Sequence, residues 1–261
     1  MYHPEVTILL PVYNGAATLA RAIQSILNQT YPHWQLLLIE DGSDDDSLSV
    51  AQQFADKRIR IISDGQHLGL VARLNQGIRL SESLYIARMD ADDVSHPERL
   101  QQQIAFLKAH PDVDLAGTAV RGINKQSRTT SRHVFPVSHS EITALPWIKT
   151  ISIAHPTWCG RTVWFQQWQY RNFSRNEDQE LLLRAHPNST YANLPMVLLD
   201  YYEDSSLTKK LTARWGWAKV LWDYYGKRGC FFPFFAGISV TAAKFFRDIL
   251  NYIIYKTNIF G

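Results

Sequence analysis

Through its first half the chain alternates short apolar runs with segments of helical period, and that alternation constrains the fold more than any other feature. Val6-Thr7-Ile8-Leu9-Leu10 ends at Pro11, and Leu36-Leu37-Leu38-Ile39 runs into Glu40-Asp41-Gly42-Ser43. Between them Leu19, Ile23, Ile26 and Leu27 recur at helical spacing, closed near Pro32. A polar helix over 47–55, a strand over 59–62, a helix over 70–80 and a strand over 84–87 follow, the last entering Asp90-Ala91-Asp92-Asp93. Strands without polar alternation are buried on both faces. The pattern therefore predicts an α/β fold, a mostly parallel sheet flanked by helices. In such sheets functional groups gather at the carboxyl ends of strands, the address of both Asp41 and the acidic run at 90–93.

The second half is less regular. Helices are predicted over 100–107 and 177–184, strands over 113–120 and 196–199, with a polar connection of undefined shape over 121–137. From 207 onward the pattern turns helical and aromatic. The net charge of +3 is unevenly placed. After position 204, nine basic residues face only Asp223 and Asp248, giving +7, which leaves 18 basic against 22 acidic residues, −4, for the remainder. That tail also holds 14 of the 32 aromatic residues. The split predicts two parts, a slightly acidic body at 1–204 and a basic, aromatic extension at 205–261.

Two cysteines, Cys159 and Cys230, make neither a disulfide framework nor a metal cluster, which fits a reducing compartment. The opening Met1-Tyr2-His3-Pro4-Glu5 lacks the pattern of a secretory leader, and no apolar run reaches the roughly 18–20 residues of a membrane span. A cytoplasmic protein is the expectation. With 20% charged and 12% aromatic residues, the composition excludes a disordered chain.

The acidic run carries the clearest chemistry. In an extended segment, side chains alternate with period two, so Asp90 and Asp92 would share one side. Two such carboxylates suit a hard divalent cation, Mg²⁺ or Mn²⁺, that bridges to substrate phosphates. The alternative is a solvated loop that caps the next helix, with Pro97 near its first turn. Asp41, at an earlier strand end, suits a hydrogen bond to a nucleobase or ribose hydroxyl, or else a tight turn. Asp44, Asp45 and Asp46 suit the N-terminal end of the following helix. Arg73 and Arg88 are cations that either face phosphates or form ion pairs.

In their order, Pro11-Val12-Tyr13-Asn14, Glu40-Asp41-Gly42-Ser43, Asn75 with Gly77, and Asp90-Ala91-Asp92-Asp93 resemble the motifs of glycosyltransferase family 2. Glu177-Asp178-Gln179-Glu180-Leu181 resembles the family's Glu-Asp motif, and the likeness covers about residues 5–204. It implies an inverting enzyme with an A-type nucleotide-sugar-binding fold, acting in cell-surface polysaccharide synthesis. Pro11, Tyr13, Asn14, Asp41, Asn75, Asp90 and Ala91 then lie on the nucleotide sugar, and Asp92 holds the metal. Asp178 is the candidate general base, with helix capping as its alternative. His155 and Glu177 become candidate acceptor or diphosphate contacts. The chain departs from the family after its last strand, where Tyr201-Tyr202-Glu203-Asp204-Ser205 replaces the Tyr-Arg and His of many members.

Three requirements of glycosyl transfer match these residues: charge neutralisation on the leaving diphosphate, a base for the acceptor hydroxyl, and a held nucleotide. A nucleotidyltransferase would need a Gly-rich phosphate loop after the first strand, which Pro11-Val12-Tyr13-Asn14-Gly15 is not. A phosphatase with an Asp nucleophile would carry its Asp-X-Asp after the first strand. A non-catalytic nucleotide-sugar-binding subunit need not keep Asp41, Asp92 and Asp178 together. In the tail, Phe245, Phe246, Ile249, Leu250, Ile253 and Ile254 recur at steps of three and four, with Lys244, Arg247, Asp248, Asn251 and Lys256 largely between them. This amphipathic pattern suits an anionic membrane surface and a peripheral position on the inner face of the cell membrane; packing against protein is the alternative. No motif of nucleic-acid recognition accompanies the basic residues.

Overall fold

The computed structural model describes residues 3–124, 126–173, 175–203 and 206–257, the last three of these without their side chains. Met1 and Tyr2 of the opening, Asp204 and Ser205 of the segment after the last strand, and the Lys256 side chain fall outside the described residues. The chain forms two compact units. The first comprises 1–142, 152–170 and 188–203; the second comprises 143–151, 171–187 and 204–261.

The first unit begins with β1 (Val6–Val12), α1 (Ala16–Leu27), β2 (Trp34–Glu40), α2 (Ser47–Gln52), β3 (Ile59–Ser63), α3 (Leu70–Leu80) and β4 (Tyr85–Arg88). It continues with β5 (Val94–Ser95), α4 (Arg99–Ala109), β6 (Leu115–Ile123), β7 (Thr129–His133) and α5 (His139–Ile142). After α6 (Pro146–Lys149), which belongs to the second unit, come a 3₁₀ turn (His155–Thr157), β8 (Cys159–Arg161) and α7 (Thr162–Gln167). The second unit resumes with α8 (Glu177–Ala185); β9 (Tyr191–Tyr202) returns to the first, and α9 (Leu207–Leu221) and α10 (Phe231–Thr257) complete the second.

Among the described residues nine strands join one sheet in the order β3-β2-β1-β4-β8-β6-β9-β5, with β7 paired to β6. The predicted parallel sheet is present as β3-β2-β1-β4 and again as β6-β9, whereas β8, β7 and β5 pair antiparallel. The chain moves outward from β1 to β2 and β3, then crosses to β4 on the other side of β1. The strand order therefore reverses between β1 and β4, the switch point at which sheets of this kind form a ligand crevice at the carboxyl ends of the strands.

Local chemistry explains the departures from the sequence reading. β1 passes through Pro11 because pairing with β4 stops at Leu9, opposite Arg88. The Leu9 carbonyl accepts from Met89 N and Val12 from Asp41 N, so alternation points the Pro11 nitrogen to the side where no ladder bond is needed. β9 starts five residues before its predicted position. Its register against β6 jumps from Leu194 to Val197, which sets Pro195 and an exposed Met196 off the ladder. The polar connection folds into β7, whose residues are largely solvent-facing and leave no apolar alternation to read. Helix α2 ends at Gln52, three residues short of its predicted end.

Packing fixes α1 and α3 on the strands. Leu19, Ala22, Ile23 and Ile26 form the buried face of α1. Gly77 lets α3 sit close on the sheet, since a Cβ there would lie 2.8 Å from both Leu9 Cδ2 and Ile39 Cδ1.

Candidate active site

The carboxyl ends of β1, β2 and β4 bring the first-unit motifs together. Asp90 to Asp93 form a tight turn, with Asp93 N donating to the Asp90 carbonyl at 3.3 Å. This corrects the extended geometry expected for Asp90-Ala91-Asp92: the turn gathers a third carboxylate, which period-two alternation would have sent to the opposite face. One oxygen from each of Asp90, Asp92 and Asp93 lies within 4.8 Å of the others. Asp93 is fully buried; one oxygen accepts from Tyr202 N at 2.9 Å, and the other has no hydrogen-bond partner among the described residues. Burial, reinforced by the charges of Asp90 and Asp92, raises its carboxyl well above the usual carboxylate range. Three convergent carboxylates, one with an orphaned oxygen, fit a hard divalent cation. Asp90 also pairs with Arg88, a buried cation at the end of β4. Burial and the charges of Asp90 and Asp93 push the Tyr201 hydroxyl up to about 12.

Asp41 follows β2 directly and is buried. Its carboxylate accepts from Leu68 N at 2.8 Å, Gly69 N at 2.9 Å and Arg73 Nε at 2.7 Å, and His67 Nδ1 lies 3.0 Å away. It thereby fastens the loop that opens α3. Arg73, wholly buried, reaches on to Asp64 at 2.6 Å. Tyr13 packs on His67 with ring centroids 4.0 Å apart and planes tilted by 31°, which gives the Asp41 end of the site an exposed aromatic shelf. Asn14 adopts the left-handed conformation (φ 51°) that Asn tolerates. Its Oδ1 accepts from Asp44 N at 2.9 Å and its own N–H donates to Ser43 Oγ at 3.0 Å. Ala16 N donates to Asp45 Oδ2 at 2.9 Å, so Asp45 satisfies an orphan donor of α1. Pro11 is buried within β1, and Ala91 backs the turn against Gly15, 3.6 Å from where a Cβ would stand.

Asn75 and His155 also lie in the first unit. The Asn75 side-chain amide makes a reciprocal pair with the Tyr170 backbone, Nδ2 to O at 2.9 Å and N to Oδ1 at 3.0 Å. Tyr170 in turn meets His155, hydroxyl to Nε2, at 2.7 Å. Burial, then the Arg88 charge, holds the His155 imidazole well below its usual value and therefore neutral. Glu177 and Asp178 open α8 in the second unit, where both are half-buried. Asn176, left-handed at φ 61°, starts that helix, and its Nδ2 donates to Ala213 O at 2.9 Å. The neighbouring Gln179 fixes the Ile151 backbone, accepting from its N–H at 2.9 Å. Sequence reasoning missed Asp93, His67 and Tyr201 as members of the site. Asp93 had a signal in the unbroken Asp92-Asp93 pair, whereas His67 and Tyr201 had none beyond their places after a strand and near a strand end.

Comparison with known proteins agrees with this geometry. Residues 7–175 match glycosyl transferase family 2. The O-antigen biosynthesis glycosyltransferase WbnJ from Escherichia coli is 31% identical over 216 residues, covering 78% of this chain and 82% of that protein. Three further relatives match at 35–40% identity over 117–138 residues, and this chain spans less than half the length of each. Among solved structures, S. aureus TarS in complex with UDP-GlcNAc superposes with a TM-score of 0.65 at 16% identity, over 84% of this chain and 67% of that one. The mannosyltransferase PcManGT from Pyrobaculum calidifontis, in complex with GDP-Man and Mn²⁺, gives 0.63 at 15% identity, over 94% and 74%. These likenesses give the same fold, and the motif order, the sheet and the sequence relatives agree: the chain belongs to glycosyl transferase family 2.

Proposed function

We propose that the protein is an inverting, metal-dependent glycosyltransferase. It moves a sugar from a nucleoside-diphosphate sugar, a UDP sugar being the first to test, to a hydroxyl of a saccharide or lipid-linked saccharide in cell-surface polysaccharide synthesis. The observation that carries the reading is the convergence of Asp90, Asp92 and Asp93 at the β1–β4 crevice, beside the strand end that bears Asp41. Mn²⁺ or Mg²⁺ held by Asp92 with its two neighbours would neutralise charge on the leaving diphosphate. Asp41 and the Tyr13–His67 shelf position the nucleoside. Asp178 accepts the proton of the acceptor hydroxyl as its oxygen bonds to the anomeric carbon and the bond to the diphosphate breaks. The motifs fall within 1–204, and the +7 extension at 205–261 draws the protein to the inner face of the cell membrane. Relatives named for O-antigen and amylovoran biosynthesis support the polysaccharide class.

The test is thermal unfolding and turnover with a panel of nucleotide sugars, with Mg²⁺, Mn²⁺ or chelator. Nucleoside diphosphates should protect the protein only when metal is present, and Asp92→Asn should remove both protection and transfer. Near-native turnover by that variant in chelator would refute the reading.

A further inference from the structure

Within the second unit, α10 turns polar as well as apolar residues inward, with half-buried Phe234, Ile238, Phe245 and Ile249 flanking its most inward row. Its inward row is Gly237, Thr241, Lys244 and Asp248, at steps of four, three and four. Asp248 Oδ2 pairs with Arg214 Nε of α9 at 3.1 Å, and Lys244 Nζ donates to the Ile148 carbonyl of α6 at 3.2 Å. A Cβ on Gly237 would meet the Trp147 carbonyl at 2.7 Å and Leu221 Cδ1 at 2.8 Å, so this row is seated on the protein. The opposite row is apolar and faces solvent: Phe232, Phe235, Ala242, Phe246, Leu250 and Ile253, interrupted only by Ser239. Phe232 is 78% exposed and Phe246 69%. At 1.5 Å per residue this stripe runs about 30 Å. An apolar patch of that extent marks a surface with a partner.

The neighbouring helix extends the face. Trp215 of α9, 67% exposed, and Trp222, which directly follows that helix and is also exposed, lie seven residues apart with Lys219 between them. A groove of about 290 Å³ separates the helices, its walls mostly apolar, with Trp215, Ile238, Phe245 and Phe246 among them, and Arg214 and Thr241 as its polar members. Around the face, Lys209, Lys210, Lys219, Lys227, Arg228 and Arg247 are exposed, while the two acidic residues nearby are paired: Asp223, just past α9, with Lys227, and Asp248 of α10 with Arg214. Among the described residues no helix is long and apolar enough to cross a membrane.

We propose that the α9–α10 pair is an insertion face, with α10 lying in the plane of an anionic bilayer and the groove seating a lipid hydrocarbon chain. Indole rings and lysines around an apolar stripe match the layered polarity of a headgroup boundary. A second copy of the chain is disfavoured as the occupant, because isologous pairing would set this basic rim against itself. The proposal rests on the peripheral membrane position given above and deepens it from electrostatic attachment to insertion.

Cys230 provides the probe. It is exposed at the entry to α10, whereas Cys159 is buried and burial pushes its thiol up to about 12. The full chain, labelled at Cys230 with an environment-sensitive fluorophore, is mixed with vesicles containing phosphatidylglycerol. Insertion requires a blue shift, quenching by nitroxides on the acyl chains, and binding that high salt weakens without abolishing. Phe246→Glu with Leu250→Glu should lower partitioning at least tenfold with circular dichroism unchanged, since both side chains already face water. Binding that salt abolishes, with no quenching, would leave the peripheral position standing and overturn insertion. Absence of binding at low salt would overturn both. A fluorescence change that needs no lipid and tracks dimer formation in light scattering would assign the stripe to a second copy and overturn the proposal.

Discussion

Asp93 and Asp178 show what a single side chain contributes beyond its motif. In the metal-free protein, Asp93 is a buried carboxylate beside two others, with its carboxyl raised above the usual range. A raised acid contributes stability that is complete below its unfolded value, about 4, and lost as pH rises through its folded value. Above that window the ionised carboxylate is a burden. Asp93→Asn should therefore raise the unfolding temperature in chelator, by an amount that grows from pH 4 upward, and cancel the stabilisation that Mn²⁺ with UDP gives the wild type. A variant less stable than wild type in chelator at pH 7 would count against this account. For Asp178, replacement by Asn keeps the shape and removes the proposed proton acceptor. Turnover should fall roughly 10²-fold or more with donor affinity barely changed, as titration calorimetry and initial rates would show. Equal losses in both would make it a capping residue of α8. Asp41, Asp90 and Asp92 were legible because an acid after an apolar run has an address in a parallel sheet. The Asn75 clamp on Tyr170 was not, because its partner lies 95 residues away.

Elements were readable where their burial left a period. The strands β1 and β2 and the helices α1 and α3 emerged from apolar runs and helical spacing, since each is covered by the next. The signal vanished at β8, three residues long, and at β7, with little buried side to record. Gly77 shows what the period conceals: α3 sits on Leu9 and Ile39 through a residue with no side chain. Gly77→Val would push methyl groups into those two side chains, at a cost of about 1–3 kcal/mol for an overpacked core. Because α3 also carries Arg73 to Asp41, UDP binding should weaken along with stability. Denaturant titration and calorimetry would check both, and unchanged values for both would mean that α3 does not depend on this close approach.

At the scale of the whole chain, the charge split and the two units describe different divisions. The acidic body and basic tail meet near residue 204 in sequence, yet the second unit also draws in 143–151 and 171–187, and with them α6 and α8. Composition could report the tail but not these internal segments, whose membership depends on contacts such as Lys244 with Ile148 and Asn176 with Ala213. The consequence is functional. Asp41 and the Asp90–Asp93 turn belong wholly to the first unit, whereas α8, which bears Asp178, is packed with α9 in the second. Removing 231–257 deletes the helix that holds α6 through Lys244 and α9 through the Arg214–Asp248 pair. The shortened protein should bind UDP with Mn²⁺ within about threefold of the full chain, a change below 1 kcal/mol. Its turnover should fall at least as far as that of Asp178→Asn, because the proposed base would lose the packing that fixes its helix. Calorimetry and initial rates on the shortened chain test the two halves of this expectation separately. Loss of UDP binding would show that the donor site depends on the second unit, and full turnover would show that α8 keeps its place without α10.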